Sequence, residues 1–257
     1  MSPAKPAVAA AVAFALLAPA SQSMLGWGQS AAEFSDAGDR TLRAAGWAFS
    51  IWGLIYTGLV AFAVHQWRDR TDAFARVRWP AAAAALGCGL WIVAAGLDAR
   101  WLTVPIIALS AVAAILAARN ARPAAQTSRT HRILALWPLS LLAGWLTIAT
   151  LVNLLTVLTS EGYVPDGART GAALAGIAAA VLIAAAVGLA GRLTVYLLPV
   201  IWGLAGVAAA AREDGQPTVM AAALLAAGLL ALLAAWRFFA DRAGAAPAPA
   251  GHSAAPR

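Results

Sequence analysis

The sequence predicts an all-α integral membrane protein with about eight transmembrane helices, and three observations carry that prediction. Hydrophobic residues fill 62% of the 257 positions and charged residues only 11%, against about 25% charged in an ordinary soluble domain, too few to build a solvated surface. The apolar residues gather into eight runs, each near the roughly 20 residues a helix needs to cross the hydrocarbon core. The basic residues fall in the gaps between those runs. Backbone in hydrocarbon must pair its own N–H and C=O groups, so runs this long are helices.

The runs cover about residues 6–25, 46–67, 80–98, 101–119, 133–157, 170–191, 193–211 and 218–240. The first follows Lys5. A secretory signal cleaved near Ala18-Pro19-Ala20 is the alternative for it. The proline in that motif and the apolar continuation through Met24 and Leu25 favour a span, and cleavage would leave seven spans in the same orientation. The second run closes on His65, Gln66 and Trp67, with His65 read as an interfacial residue. The third and fourth are joined by the tight connection from Asp98 to Arg100, and the fifth is long and rich in leucine and threonine. The sixth repeats a small residue at every fourth position, Gly176, Ala180, Ala184 and Gly188, a packing stripe used within the chain or between the subunits of a homodimer. It meets the seventh at Gly191-Arg192. After the eighth, residues 243–257 are rich in Ala, Pro and Gly and are expected to form a disordered cytoplasmic tail.

Orientation follows from the arginines. With the N-terminus in the cytoplasm, that face receives Lys5, Arg68, Arg70, Arg76, Arg78, Arg119, Arg122, Arg129, Arg132, Arg192, Arg237, Arg242 and Arg257. These are thirteen of the 18 basic residues. Arg40, Arg43, Arg100, Arg169 and Arg212 fall on the other side. Lysine and arginine bias sets topology, so both termini are expected to be cytoplasmic, in the cell (cytoplasmic) membrane. A basic balance of +7 placed in short membrane loops is topogenic, and no nucleic-acid partner is expected. The single lysine among so many arginines, with heavy alanine usage, points to a GC-rich bacterial genome.

No Asp, Glu, Lys or Arg sits near the middle of a run, which counts against an ion-coupled pump or channel. Cys88 is the only cysteine, so no intramolecular disulfide forms, and no metal site or catalytic constellation is visible. The signal lies in the 11 tryptophans. Seven (Trp27, Trp47, Trp67, Trp79, Trp101, Trp137 and Trp236) sit near the ends of runs, where an indole buries its ring and keeps its N–H among headgroups. Trp52, Trp91, Trp145 and Trp202 are deeper, and a deep indole N–H needs a protein partner. Trp52 and Tyr56 share a helical face, with Phe49 three residues earlier. Trp145, Ala149 and Asn153 form an i, i+4, i+8 stripe, with Thr156 beyond. The pattern is open between helix–helix glue, in which Asn and Thr bond across an interface, and the wall of a ligand pocket.

These residues resemble the tryptophan-rich sensory protein (TspO/MBR) family, bacterial relatives of the translocator protein or peripheral benzodiazepine receptor. The second run, Phe49-Ser50-Ile51-Trp52-Gly53-Leu54-Ile55-Tyr56, is similar to the family's helix-two pattern. Trp145, Ala149, Thr150 and Asn153 match a Trp followed at +4, +5 and +8 by Ala, Thr and Asn, and Trp91 takes the place of the third-helix Trp. The match covers about residues 1–157. It departs in two places: Arg43-Ala44-Ala45-Gly46-Trp47 lacks the family's proline pair, and Cys88 stands where an asparagine is common.

The resemblance implies a five-helix TspO-like bundle over residues 1–157, a divergent long member with three additional helices over 158–242. It also implies a pocket capped by the first loop and lined by Phe49, Trp52, Tyr56, Trp91, Trp145, Ala149 and Asn153, with Asn153 as the polar contact. In the family such a pocket takes tetrapyrroles or other flat apolar molecules, so a hydrophobic small molecule and the lipid bilayer are the expected partners. No cofactor is required beyond such a bound tetrapyrrole or other hydrophobic ligand. The expected function is a multi-pass membrane receptor or sensor rather than an enzyme. A transporter for a neutral lipophilic solute is the alternative, with no inverted repeat visible to support it. A structural subunit that docks another membrane protein through small-residue faces is the third reading.

Overall fold

A computed structural model describes residues 2–36, 41–69 and 71–243, with side chains to residue 240. Residues 244–257 of the expected tail, and Asp39, Arg40 and Arg70 of the loops, lie outside the described residues, as do the side chains of Asp241 and Arg242. Among the described residues there is no strand, and eight helical stretches are long and apolar enough to cross a bilayer.

The helices are α1 (Ala4–Leu25), a short α2 (Ala31–Asp36), α3 (Ile51–Arg68, entered through a 3-10 turn at Gly46–Ser50), α4 (Ala75–Gly96), α5 (Arg100–Thr127), a single turn α6 (Arg129–His131), α7 (Trp137–Ser160), α8 (Arg169–Gly191), α9 (Leu197–Glu213) and α10 (Pro217–Ala243). All but α2 and α6 are spans. Two boundaries move outward from the sequence reading. α4 begins at Ala75 rather than near 80. α5 runs on to Thr127 rather than stopping near 119, because Ala-rich sequence with arginines extends a helix readily. Between α6 and α7, residues Arg132–Leu136 widen into a π-turn. Pro138 explains it: with no N–H and a ring that crowds the carbonyl four residues back, it disrupts the preceding ladder of α-type hydrogen bonds.

α7 is the central span. It packs against α3, α5, α8 and α9, and Leu139, Leu142, Ala143 and Trp145 are all buried. Gly144 is needed for this, since a methyl group there would collide with the Tyr196 carbonyl oxygen. The Tyr196 hydroxyl donates to Thr147 Oγ1 at 2.9 Å, tying the same two segments again. The small-residue stripe of α8 is used within the chain: Ala180 and Ala184 are buried, Gly176 faces Leu155 and Leu42, and Gly188 faces Leu197. Leu109, Leu182, Leu225 and Leu232 are exposed on the outer surface, where lipid is the solvent.

The tryptophans sort by depth. Trp47, Trp67, Trp79, Trp101, Trp137 and Trp236 are exposed at helix ends. Trp27 instead packs on Gly96. Trp202 differs from the other three tryptophans expected to lie deep. It is 38% exposed, yet its indole N–H donates to the Ala48 carbonyl at 2.8 Å, so it meets the requirement for a partner from the bundle's rim.

Candidate functional site: an aromatic cavity

Period 3.6 places Trp52 and Tyr56 one above the other on α3, and they stack at 4.9 Å with planes 22° apart. Trp145 of α7 stands edge-on to Trp52 at 6.2 Å and to Phe49 at 5.9 Å. Edge-to-face contacts of this kind suit the ring quadrupoles. Trp91 of α4 is held differently: its N–H donates to Asn153 Oδ1 at 3.1 Å, and Asn153 Nδ2 donates to Thr103 Oγ1 at 3.0 Å. One amide thus joins α4, α5 and α7. Asn153 is 4% exposed, and both ends of its amide are engaged by the protein rather than left open to a ligand.

These side chains surround a cavity of about 770 Å³, counting the part open at its mouth. All seven residues singled out from the sequence, Phe49, Trp52, Tyr56, Trp91, Trp145, Ala149 and Asn153, lie on its wall. The glue and pocket-wall readings of the α7 stripe turn out to be compatible, since Asn153 serves as both. Sequence reasoning missed several other lining residues. Phe34 and Ser35 come from α2, whose six residues are too few to show a period. Ile107 and Ser110 come from α5, and Gly203 from α9, outside the region of resemblance. Cys88, marked only as a departure, lies on the wall as well.

The segment between α1 and α3 contributes Ala31, Phe34, Ser35 and Ala44 to the cavity wall. Phe34 sits edge-on to Trp91 at 5.3 Å and packs with Ala95 and Val157. α2 opens on a capping box: the Ser30 N–H donates to the Glu33 carboxylate, and the Glu33 N–H to the Ser30 hydroxyl. The stretch without prolines is held by α9 and the turn after it. The Ala45 N–H donates to the Gly206 carbonyl at 3.0 Å. The Arg43 guanidinium grips Asp214 with two hydrogen bonds, of 2.8 and 2.9 Å, and also reaches Glu213 and Asp36. The Asp214 hydrogen bonds, with the neighbouring negative charges, outweigh the partial burial of Arg43 and bind its proton more firmly than in a free arginine.

An eight-span helical membrane protein with an aromatic hollow lined by α2, α3, α4, α5, α7 and α9 is the class that fold and site define. The chain matches the family model for TSPO-like protein over residues 6–236. It belongs to the TSPO-like family, and the match runs through the last three spans as well as the first five. No curated protein and no solved structure matches the chain.

Proposed function

We propose that the protein is a membrane receptor or sensor that takes a hydrophobic, flat small molecule, tetrapyrrole-like in shape, into the aromatic cavity. The observation that carries this reading is the convergence of Phe49, Trp52, Tyr56, Trp91, Trp145, Ala149 and Asn153 on one hollow beneath α2. The stacked Trp52–Tyr56 pair offers a planar apolar face to a planar guest. The arginine distribution supports a cell-membrane location with both termini in the cytoplasm.

Protein in nanodiscs titrated with a porphyrin, with tryptophan fluorescence as the readout, tests the proposal. Trp145→Phe together with Trp52→Leu is expected to weaken binding about tenfold, in keeping with the loss of aromatic stacking. Unchanged affinity in that double variant would remove these rings from the site.

A further inference from the structure

We infer that the protein holds one anionic phospholipid against α5 and α8, with the lipid phosphate seated on Arg119 and Arg122 in a cleft between the two helix ends. The cleft lies at the end of the bundle that the arginine distribution assigns to the cytoplasm. It shares no residue with the aromatic cavity, and its occupant is independent of any guest there.

The end of α5 sets the chemistry. The apolar run of the sequence stops near residue 119, but the helix continues to Thr127, about two turns further. Arg119, Arg122 and Gln126 stand at i, i+3 and i+7 and so share one face of that extension. Opposite them α8 closes on Ala190 and Gly191. With Pro123, these residues enclose a cleft of about 480 Å³, counting the part open to solvent. Small residues keep it open: a methyl group at Gly191 would already lie 3.7 Å from Arg119 Cγ.

Among the described residues that line the cleft there is no Asp or Glu. The carboxylates of the connection between α3 and α4 are engaged there, Asp69 by Thr71 and Ala73, and Asp72 by Arg78. Two guanidiniums one helical turn apart repel each other, and a phosphate between them relieves the repulsion and accepts hydrogen bonds from both. The helix dipole of α5 does not account for Arg119, because that effect fades within the last turn. Nor do the last carbonyls of α8 hold it in place. Those of Gly188 and Leu189 are taken by the Leu193 and Arg192 N–H groups.

Toward the middle of the membrane the same face of α5 turns apolar. Leu116, Val112 and Leu109 precede Arg119 at steps of three, four and three residues, and all are exposed. Leu189 and Leu182 are exposed on α8. A free phosphate makes no use of such a strip, whereas a diacyl lipid lays its acyl chains along it with its head on the arginines. Trp137 and Trp236, exposed at helix ends on the same side of the bundle, mark the headgroup level.

Native mass spectrometry of the full chain, purified in a neutral detergent and titrated with dioleoyl lipids, tests the assignment. One phosphatidylglycerol is expected to bind about tenfold more tightly than phosphatidylcholine, whose choline cation meets the same two arginines. Arg119→Gln with Arg122→Gln should erase that preference. Gly191→Leu, which keeps both charges but fills the cleft, should reduce it, and decides alone if the arginine pair fails to fold. Arg68→Gln with Arg76→Gln makes the same change of net charge on α3 and α4 and should leave the preference intact. An equal loss in that control pair would reveal a general surface field and overturns the site, as does a preference that survives in the cleft variants. Equal binding of the two lipids overturns the selection for an anionic head. Displacement of the lipid by excess inorganic phosphate overturns the lipid assignment in favour of a free phosphate.

Discussion

Replacing Asn153 by leucine would strand the Trp91 indole N–H and cut the bridge to Thr103, both inside the membrane. A buried donor left without its partner costs about 1–3 kcal/mol, so Asn153→Leu should lower thermal stability in detergent even with no ligand present. A melting curve unaltered by the change would show that the amide does not join the three helices. The same residue marks how much of the site could be read beforehand. Spacing along one helix shows which residues share a face, and so Trp145, Ala149 and Asn153 were legible together. It does not show which helices meet, and the pairing of Asn153 with Thr103 was invisible for that reason. Ser35 and Gly203 escaped because small residues leave no mark in an apolar pattern; in Phe49, Trp52 and Tyr56, by contrast, bulk and spacing coincided.

The connecting segments do as much as the spans to hold the fold in register. Between α3 and α4, Asp69 accepts hydrogen bonds from the Thr71 hydroxyl at 2.6 Å, the Thr71 N–H at 3.0 Å and the Ala73 N–H at 3.1 Å. Burial pushes its carboxyl up, but those hydrogen bonds, led by that of the Thr71 side chain, outweigh it and leave the pKa below the ordinary aspartate value. A depressed folded-state pKa gives stability that is present above the unfolded value, about 3.9, and lost as pH falls through the folded value. The stability difference between the wild type and Asp69→Asn should therefore be largest near neutral pH and close on acidification. A gap independent of pH would assign the effect to packing instead. On the other side of the bundle, Arg43→Ala removes the grip on Asp214, Glu213 and Asp36. Charge-assisted hydrogen bonds contribute about 1.5–3 kcal/mol each, so the segment over the cavity should loosen and a bound porphyrin should dissociate faster. An unchanged dissociation rate would separate the Arg43 cluster from access to the cavity. The sequence suggested none of this, since Asp214 and Glu213, the partners that tie Arg43 to the far end of α9, lie some 170 residues further along the chain.

For the molecule as a whole, the eight spans were legible to within a few residues at most of their ends, because the bilayer imposes a length and an apolar composition on each of them. The exceptions were the ends of α4 and α5, where alanine and arginine continue a helix past the apolar run. The asymmetry of the basic residues leads to a prediction at this scale. A fluorescent protein fused after residue 257 should light up, and alkaline phosphatase fused in the turn after Ser160 should be active. The reverse pattern would invert the orientation.

The family match reaches residue 236, and the contacts give that length a physical meaning. Gly203 contributes to the wall of the hollow, Gly144 lies against the backbone of Tyr196, and the Gly206 carbonyl anchors Ala45. Trimming the protein after Ser160 would not leave the hollow intact. The chamber would become an open gutter washed by acyl chains, and its roof would lose the beam on which it rests.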